Sequence, residues 1–313
     1  MSIDEFIALF ETSGKRYHIV GNGNNGVLIG LDLEGRLFAF LDGEVLNKVH
    51  PQAVLGQSSG DVYLNPGGDG LWPAPEGSCL GYEYATGQWR VPPGITGARY
   101  GVQETNGNVA TVRAEIDLIN NIGVGIPTVF GRSVSIATEN NAMRVTVIES
   151  IQYIGTNTLE NSHCLLAPWT LCQFDSGPES EVVFPGEHED CLRDLYDSSD
   201  SQRWIDNGMY HCKTDGAMRY QVGMDARVPW IEYRNPGKQL TVRRSAKPLP
   251  AGQGYIDIAD SPPSEKPSDK GVSLSVYSDP GLFMEIEAAG GCPHILKPGA
   301  RMTLEVETIY STG

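Results

Sequence analysis

A period-two alternation of apolar and polar residues narrows the fold more than any other feature of this chain. In Val109–Leu118 the even positions Ala110, Val112, Ala114, Ile116 and Leu118 are apolar, and Thr111, Arg113, Glu115 and Asp117 between them are polar. Met143–Tyr153 repeats the pattern on odd positions, with Met143, Val145, Val147, Ile151 and Tyr153 opposite Arg144, Thr146, Ser150 and Gln152. Val272–Tyr277 and Arg301–Tyr310 carry it again. Successive side chains of a strand point to opposite faces, so this pattern predicts antiparallel strands buried on one side. Helical spacing is clearest at the start, where Ser2 and Glu5 form a capping box and Ile3, Phe6, Ile7 and Phe10 share one face before Gly14. A short helix is also expected within 187–197, on Cys191, Leu192 and Leu195. Strands toward both ends and no evident linker predict an all-β fold: one large antiparallel β-sandwich domain over residues 1–313 with a short N-terminal helix.

Charge excludes several partners. Lys+Arg 23 against Asp+Glu 39 leaves a net charge of −16, and such a surface repels phosphate backbones and anionic lipid unless basic residues are segregated on it. The densest basic stretch, Arg243, Arg244 and Lys247, is too short for that, so neither nucleic acid nor a membrane surface is an expected partner. The best apolar run, between Val27 and Leu41, is broken by Asp32, Glu34 and Arg36, and MSIDEFIALFE lacks the basic and apolar regions of an export signal. The six cysteines contain no C-x-x-C pair, which favours buried free thiols in a reducing, cytoplasmic setting.

Common catalytic motifs are missing: there is no G-x-S-x-G elbow, no phosphate loop and no H-E-x-x-H helix. GNGNNG at 21–26 joins two strands, so it is a hairpin turn, with Asn24, Asn25 and Gly26 suited to positive φ. No D-x-D-x-D-G loop calls for calcium, and neither a metal nor a cofactor is expected. Residues 50–106, rich in glycine and proline with Trp72, Tyr82 and Trp89 as anchors, are expected as a long functional loop region. There LNPGGDGLWPAPEG sets Asp69 and Glu76 on either side of Trp72. An aromatic plate beside carboxylates suits a sugar, whose C–H face packs on the ring while its hydroxyls donate to the acids; a core tryptophan among solvated acids is the plainer alternative.

Three further segments carry candidates. NSHCLLAPWTLCQF offers His163, suited to proton transfer or to an ordinary surface position, and Trp169 after a proline. In GLFMEIEAAGG, a strand would put Glu285 and Glu287 on one face two residues apart, close enough for each charge to raise the other's pKa unless both are solvated. QVGMDARVPWIEYR adds Asp225 and Trp230.

Taken in order, GGDGLWPAPEG at 67–77, VTVIESIQYIGTNTLENSHCLLAPWTL at 145–171 and FMEIEAAGGCPHILKPGARMTLEVETIY at 283–310 resemble the galactose-mutarotase-like β-supersandwich family, and within it the uncharacterised bacterial branches more than true aldose 1-epimerases. The last segment is the most specific, with a glutamate-bearing strand, an L-x-P-G corner at Leu296, Pro298 and Gly299, and a final alternating strand. The resemblance implies Glu287 as general base, with Glu285 as the near alternative, and His163 as general acid. His163 is followed by Cys164–Leu165–Leu166–Ala167–Pro168–Trp169, not by the Tyr-Phe-Asn-Leu run of true epimerases. The implied activity is anomer interconversion without a cofactor: the base takes the anomeric proton, the acid protonates the ring oxygen, the ring opens, and closure gives the other anomer. A small-molecule or oligomeric sugar is thus the expected ligand. The alternatives are a non-catalytic carbohydrate-binding module using Trp72, Trp169 and Trp230 as plates, or a domain related to polysaccharide hydrolases and lyases.

Overall fold

A computed structural model of the chain describes residues 1–59, 62–139, 141–186 and 189–313. Two ten-stranded sheets, every neighbouring pair antiparallel, make up most of it. The first runs Tyr17–Gly21, Gly26–Gly30, Arg36–Leu41, Asp69–Ala74, Ala167–Asp175, Phe283–Ala289, Leu274–Asp279, Tyr220–Met224 and Leu192–Asp194, with Glu44–Val45 added beside Arg36–Leu41. At the centre of the second, the long strands Arg301–Thr312, Ala142–Tyr153, Gly125–Glu139 and Val109–Ile119 lie side by side.

Three of the four alternating segments fall in the second sheet. There Val109–Ile119, Ala142–Tyr153 and Arg301–Thr312 keep one face in the core and the other toward solvent, and Val109–Ile119 alternates buried and exposed along most of its length. The first sheet differs. Asp69–Ala74, Ala167–Asp175 and Leu274–Asp279 are buried on both faces for most of their length, because the second sheet covers one side and loops cover the other. Val272–Tyr277 is therefore largely buried rather than half-exposed as its alternation predicts, with Val272 and Ser273 ahead of the strand itself.

Apolar side chains of both sheets fill the space between them, and a buried ionic cluster crosses the same layer. Arg244 and Arg132 of the second sheet reach Asp69 of the first, at 2.8 Å and 3.6 Å, while Arg132 also grips Glu149 at 2.6 Å and Arg244 donates to Thr170. The two cations match the two carboxylates, which is the condition under which buried charges are tolerated.

The N-terminal helix, Ile3–Ser13, begins with the expected Ser2/Glu5 capping box, ends on Gly14 at φ +69°, and packs Phe6 and Phe10 against Phe38 and Phe40. GNGNNG is a hairpin turn, but the positive φ falls on Gly21 (+117°), where a Cβ would lie 2.4 Å from the Asn25 carbonyl oxygen. Two expectations are corrected. The helix foreseen at 187–197 is a short 3-10 turn, Glu189–Cys191, running into the strand Leu192–Asp194, while 187 and 188 lie outside the described residues. The supposed loop region 50–106 contains an inner strand of the first sheet, Asp69–Ala74, and two short helices, Pro51–Leu55 and Pro93–Thr96. No helix among the described residues is long and apolar enough to cross a membrane. All six cysteines are unpaired, and only Cys79 is not fully buried.

Candidate functional site

The side of the first sheet turned away from the second carries a cavity of about 460 Å³, within the range of small-molecule sites. Antiparallel register decides which side chains reach it. Glu285 lies beside Gln173 and Tyr277, and Glu287 beside Leu171 and Ser275, so these residues share one face. Trp169 pairs with Trp72 on the same face, their rings 6.0 Å apart and nearly perpendicular at 80°. Gly70 also lies there, and a Cβ at that position would sit 2.6 Å from the Arg36 guanidinium carbon, so the missing side chain makes room for Arg36 behind Trp72.

Glu287 is the most heavily engaged group. Its Oε2 accepts from Trp169 Nε1 at 3.1 Å, from Gln221 Nε2 at 2.8 Å and from Ser275 Oγ, and the carboxyl also accepts from the Glu285 carboxyl beside it. Burial raises its pKa to about 7 against the opposing hydrogen bonds from Ser275, Glu285 and Trp169. Glu285 accepts from Gln173 Nε2 at 2.6 Å, and burial together with the Glu287 charge holds it well above the usual carboxylate range. Glu76 enters from the loop after Asp69–Ala74 and accepts from the Tyr196 hydroxyl at 3.3 Å. Burial, then the charge of Asp260, lifts it to about 8.

Two buried polar atoms of lining residues, the donor Trp72 Nε1 and the acceptor Gln221 Oε1, lack hydrogen-bond partners within the protein and are closed off from the cavity space. At the rim, Arg219 lies 4.1 Å from the Tyr196 ring centre and donates through Nε to the Tyr277 hydroxyl at 3.0 Å. Trp89, 41% exposed, lines the same opening. Among the described residues no group of three or more His, Cys, Asp or Glu side chains is arranged to hold a metal ion.

Five of the residues singled out from sequence meet here: Trp72, Glu76, Trp169, Glu285 and Glu287. Four do not. Asp69 is three positions from Trp72 on one strand, hence on the opposite face, and is consumed by Arg244 and Arg132. His163 sits on an exposed turn, its ring bonded to Ser162 at 3.0 Å, and does not line the cavity. Asp225 is paired with Arg227 at 2.7 Å, and Trp230 is capped by the Arg243 guanidinium 4.0 Å from its ring centre. Sequence reasoning missed Gln173, Gln221, Arg219, Asp260, Tyr277 and Asp279. Gln173 carried a signal: it lies four residues beyond Trp169 on one strand, and therefore on the same face.

A family model described as a family of unknown function, DUF6786, matches residues 32–310. The chain belongs to that family. No curated protein matches the sequence of this DUF6786 member. Among solved structures, a galactose mutarotase-like protein from Lactobacillus casei ATCC 334 shares 10% identity, with 94% of this chain and 100% of that one covered at a TM-score of 0.59. The Slr1438 protein from Synechocystis sp. PCC 6803, also at 10% identity, covers 96% of each chain at 0.56. A galactose mutarotase-like protein from Clostridium acetobutylicum gives the same identity and coverage at 0.54. At such identities the likeness is one of fold, and the fold of this DUF6786 protein is the galactose-mutarotase-like antiparallel β-supersandwich.

Proposed function

We propose that the cavity is a saccharide site and that the protein interconverts the anomers of a free sugar. The observation that carries this reading is what one sheet face brings to the cavity: the nearly perpendicular indoles of Trp72 and Trp169 beside the carboxyls of Glu285 and Glu287, with Glu76 on the same wall. A ligand bearing several hydroxyls on an apolar ring frame packs its C–H face on indole while its hydroxyls hydrogen-bond with carboxyl groups.

The chemistry needs a base and an acid, and two carboxyls with separated pKa values provide them. Glu287, near 7, is ionised in a large fraction of molecules at neutral pH and takes the proton of the anomeric hydroxyl. Glu76, near 8, is mostly neutral there and protonates the ring oxygen. The C1–O5 bond breaks to leave an aldehyde, rotation about C1–C2 exposes the other carbonyl face, and ring closure returns both protons. Glu285 stays protonated against Gln173, which keeps a second negative charge away from Glu287. Each positioned proton transfer contributes about 10²–10⁴ in rate.

The absence of a histidine from the described lining favours a second reading, a binding module that does not catalyse. Calorimetric titration with common hexoses combined with exchange NMR of their anomers separates the two. Binding with accelerated exchange supports the enzyme, binding without it the module, and no binding overturns both.

A further inference from the structure

The cavity is longer than one sugar ring, and its floor shows the direction in which a ligand extends. Glu287, Glu285 and Phe283 follow one another at alternate positions of Phe283–Ala289, all on the cavity face. From Glu287 to Phe283 the strand advances about 13 Å, at a rise of about 3.3 Å per residue. Burial loosens along the same line: Glu287 is 1% exposed, Glu285 is 5% exposed, and Phe283 is only half-buried. The closed end is therefore at Glu287, and the cavity opens toward Phe283. A hexose does not cover that length. Five covalent bonds of about 1.5 Å separate its O1 from its O4, so the two oxygens are at most about 7.5 Å apart. Nor does it fill the volume. Twelve non-hydrogen atoms, even at the roughly 30 Å³ that liquid water allots each oxygen, take about 360 Å³ of the 460 Å³ present.

The open end carries a second set of groups suited to a sugar. Phe283 packs against Tyr277 with ring centres 5.9 Å apart. Asp279 is the register partner of Phe283, and Arg219 immediately precedes Tyr220, the partner of Ser278, so Arg219 stands level with Phe283. The Arg219 side chain is 47% exposed, and its Nε donates to the Tyr277 hydroxyl at 3.0 Å. Its Nη2 is 3.7 Å from Asp260, and neither terminal nitrogen makes a hydrogen bond to a described residue. Donors for ring hydroxyls thus stand beside an aromatic face that takes C–H groups. O1 and O4 lie on opposite sides of a pyranose, so with O1 at Glu287 the linkage that leads toward Phe283 is through position 4.

We infer that the cavity takes a reducing disaccharide joined through position 4, or the reducing end of a longer chain so linked, with the reducing ring at Glu287 and the next ring on Phe283 within reach of Arg219. This inference rests on the saccharide reading of the cavity. Calorimetric titration of the full chain near neutral pH tests it with glucose, galactose and mannose, and with the 4-linked disaccharides that end in each: cellobiose, maltose and lactose, galactobiose, and mannobiose. At least one disaccharide is expected to bind about tenfold or more tighter than the monosaccharide at its reducing end. Phe283→Ala is expected to bring that ratio down to about threefold or less, with the affinity for the monosaccharide changed by less than about twofold, because the platform for the second ring is gone. Monosaccharides binding as tightly as every disaccharide, or a ratio that Phe283→Ala leaves unchanged, would overturn the disaccharide inference and leave the saccharide reading standing. Failure of every sugar to bind would overturn both.

Discussion

Trp169 Nε1 donates to Glu287 Oε2 at 3.1 Å, so the indole that walls the cavity also orients the carboxyl assigned as its base. Packing and proton chemistry thus meet in one side chain. The two residues come from neighbouring strands of the first sheet, where Leu171 is the register partner of Glu287 and Trp169 that of Ala289.

Trp169→Phe keeps an aromatic ring and removes the donor. Losing a hydrogen bond that favours the ionised form moves the Glu287 pKa further up, so the acid limb of the pH–rate profile shifts to higher pH. The smaller ring offers the sugar less packing surface than indole, and sugar affinity is expected to fall by a factor of about five, for a loss of about 1 kcal/mol. Exchange NMR across pH 5 to 9 and titration calorimetry read the two effects separately.

Stability should fall as pH rises through the range where these acids remain protonated only because they are buried. Glu76 and Glu287 have folded pKa values near 8 and near 7 against an ordinary 4.5, so between pH 4.5 and 8 the folded chain holds protons that the unfolded chain has released. Folding stability is then greatest at the acid end of that window and declines toward pH 8. Glu83, buried with both carboxyl oxygens unpartnered and its pKa well above the ordinary value by burial and the Glu76 charge, adds to the slope. Glu83→Met should raise Tm at pH 8 more than at pH 5.5, as differential scanning calorimetry would show, and an equal shift at both would contradict this origin.

The ionic cluster between the sheets makes a different prediction. Arg132→Met leaves Glu149 without its cation and Asp69 with only Arg244, at an expected cost of about 3–5 kcal/mol in urea denaturation. Arg144→Met removes an exposed pair with Glu307 and is expected to cost at most about 1 kcal/mol.

How much of the fold is legible in the sequence depends on which sheet a segment joins. Val109–Ile119, Ala142–Tyr153 and Arg301–Thr312 have one dry and one wet face, and solvent writes that difference into the residues as alternation. Ala167–Asp175 and Asp69–Ala74 are covered on both sides, so their apolar runs carry no period, and the glycines and prolines in and around Asp69–Ala74 give that strand the composition of a loop. Glu285 and Glu287 are assigned to one face from sequence because parity on a strand needs no tertiary knowledge. The same parity rule separates Asp69 from Trp72 once a strand is recognised there. His163 lies on a turn, where parity says nothing, and family resemblance rather than geometry singles it out. Asp260 and Arg219 lie outside the strands and reach the cavity through the path of the loops, which no local pattern encodes.

The most direct test of the whole account is the rate of anomer exchange for the best-binding sugar at pH 7, measured by exchange NMR with the wild-type chain and with Glu287→Gln. Acceleration by the wild type, reduced by about 10² or more in the variant while the sugar still binds, is the predicted result. Equal rates for the two proteins would contradict the assignment of Glu287 as the base.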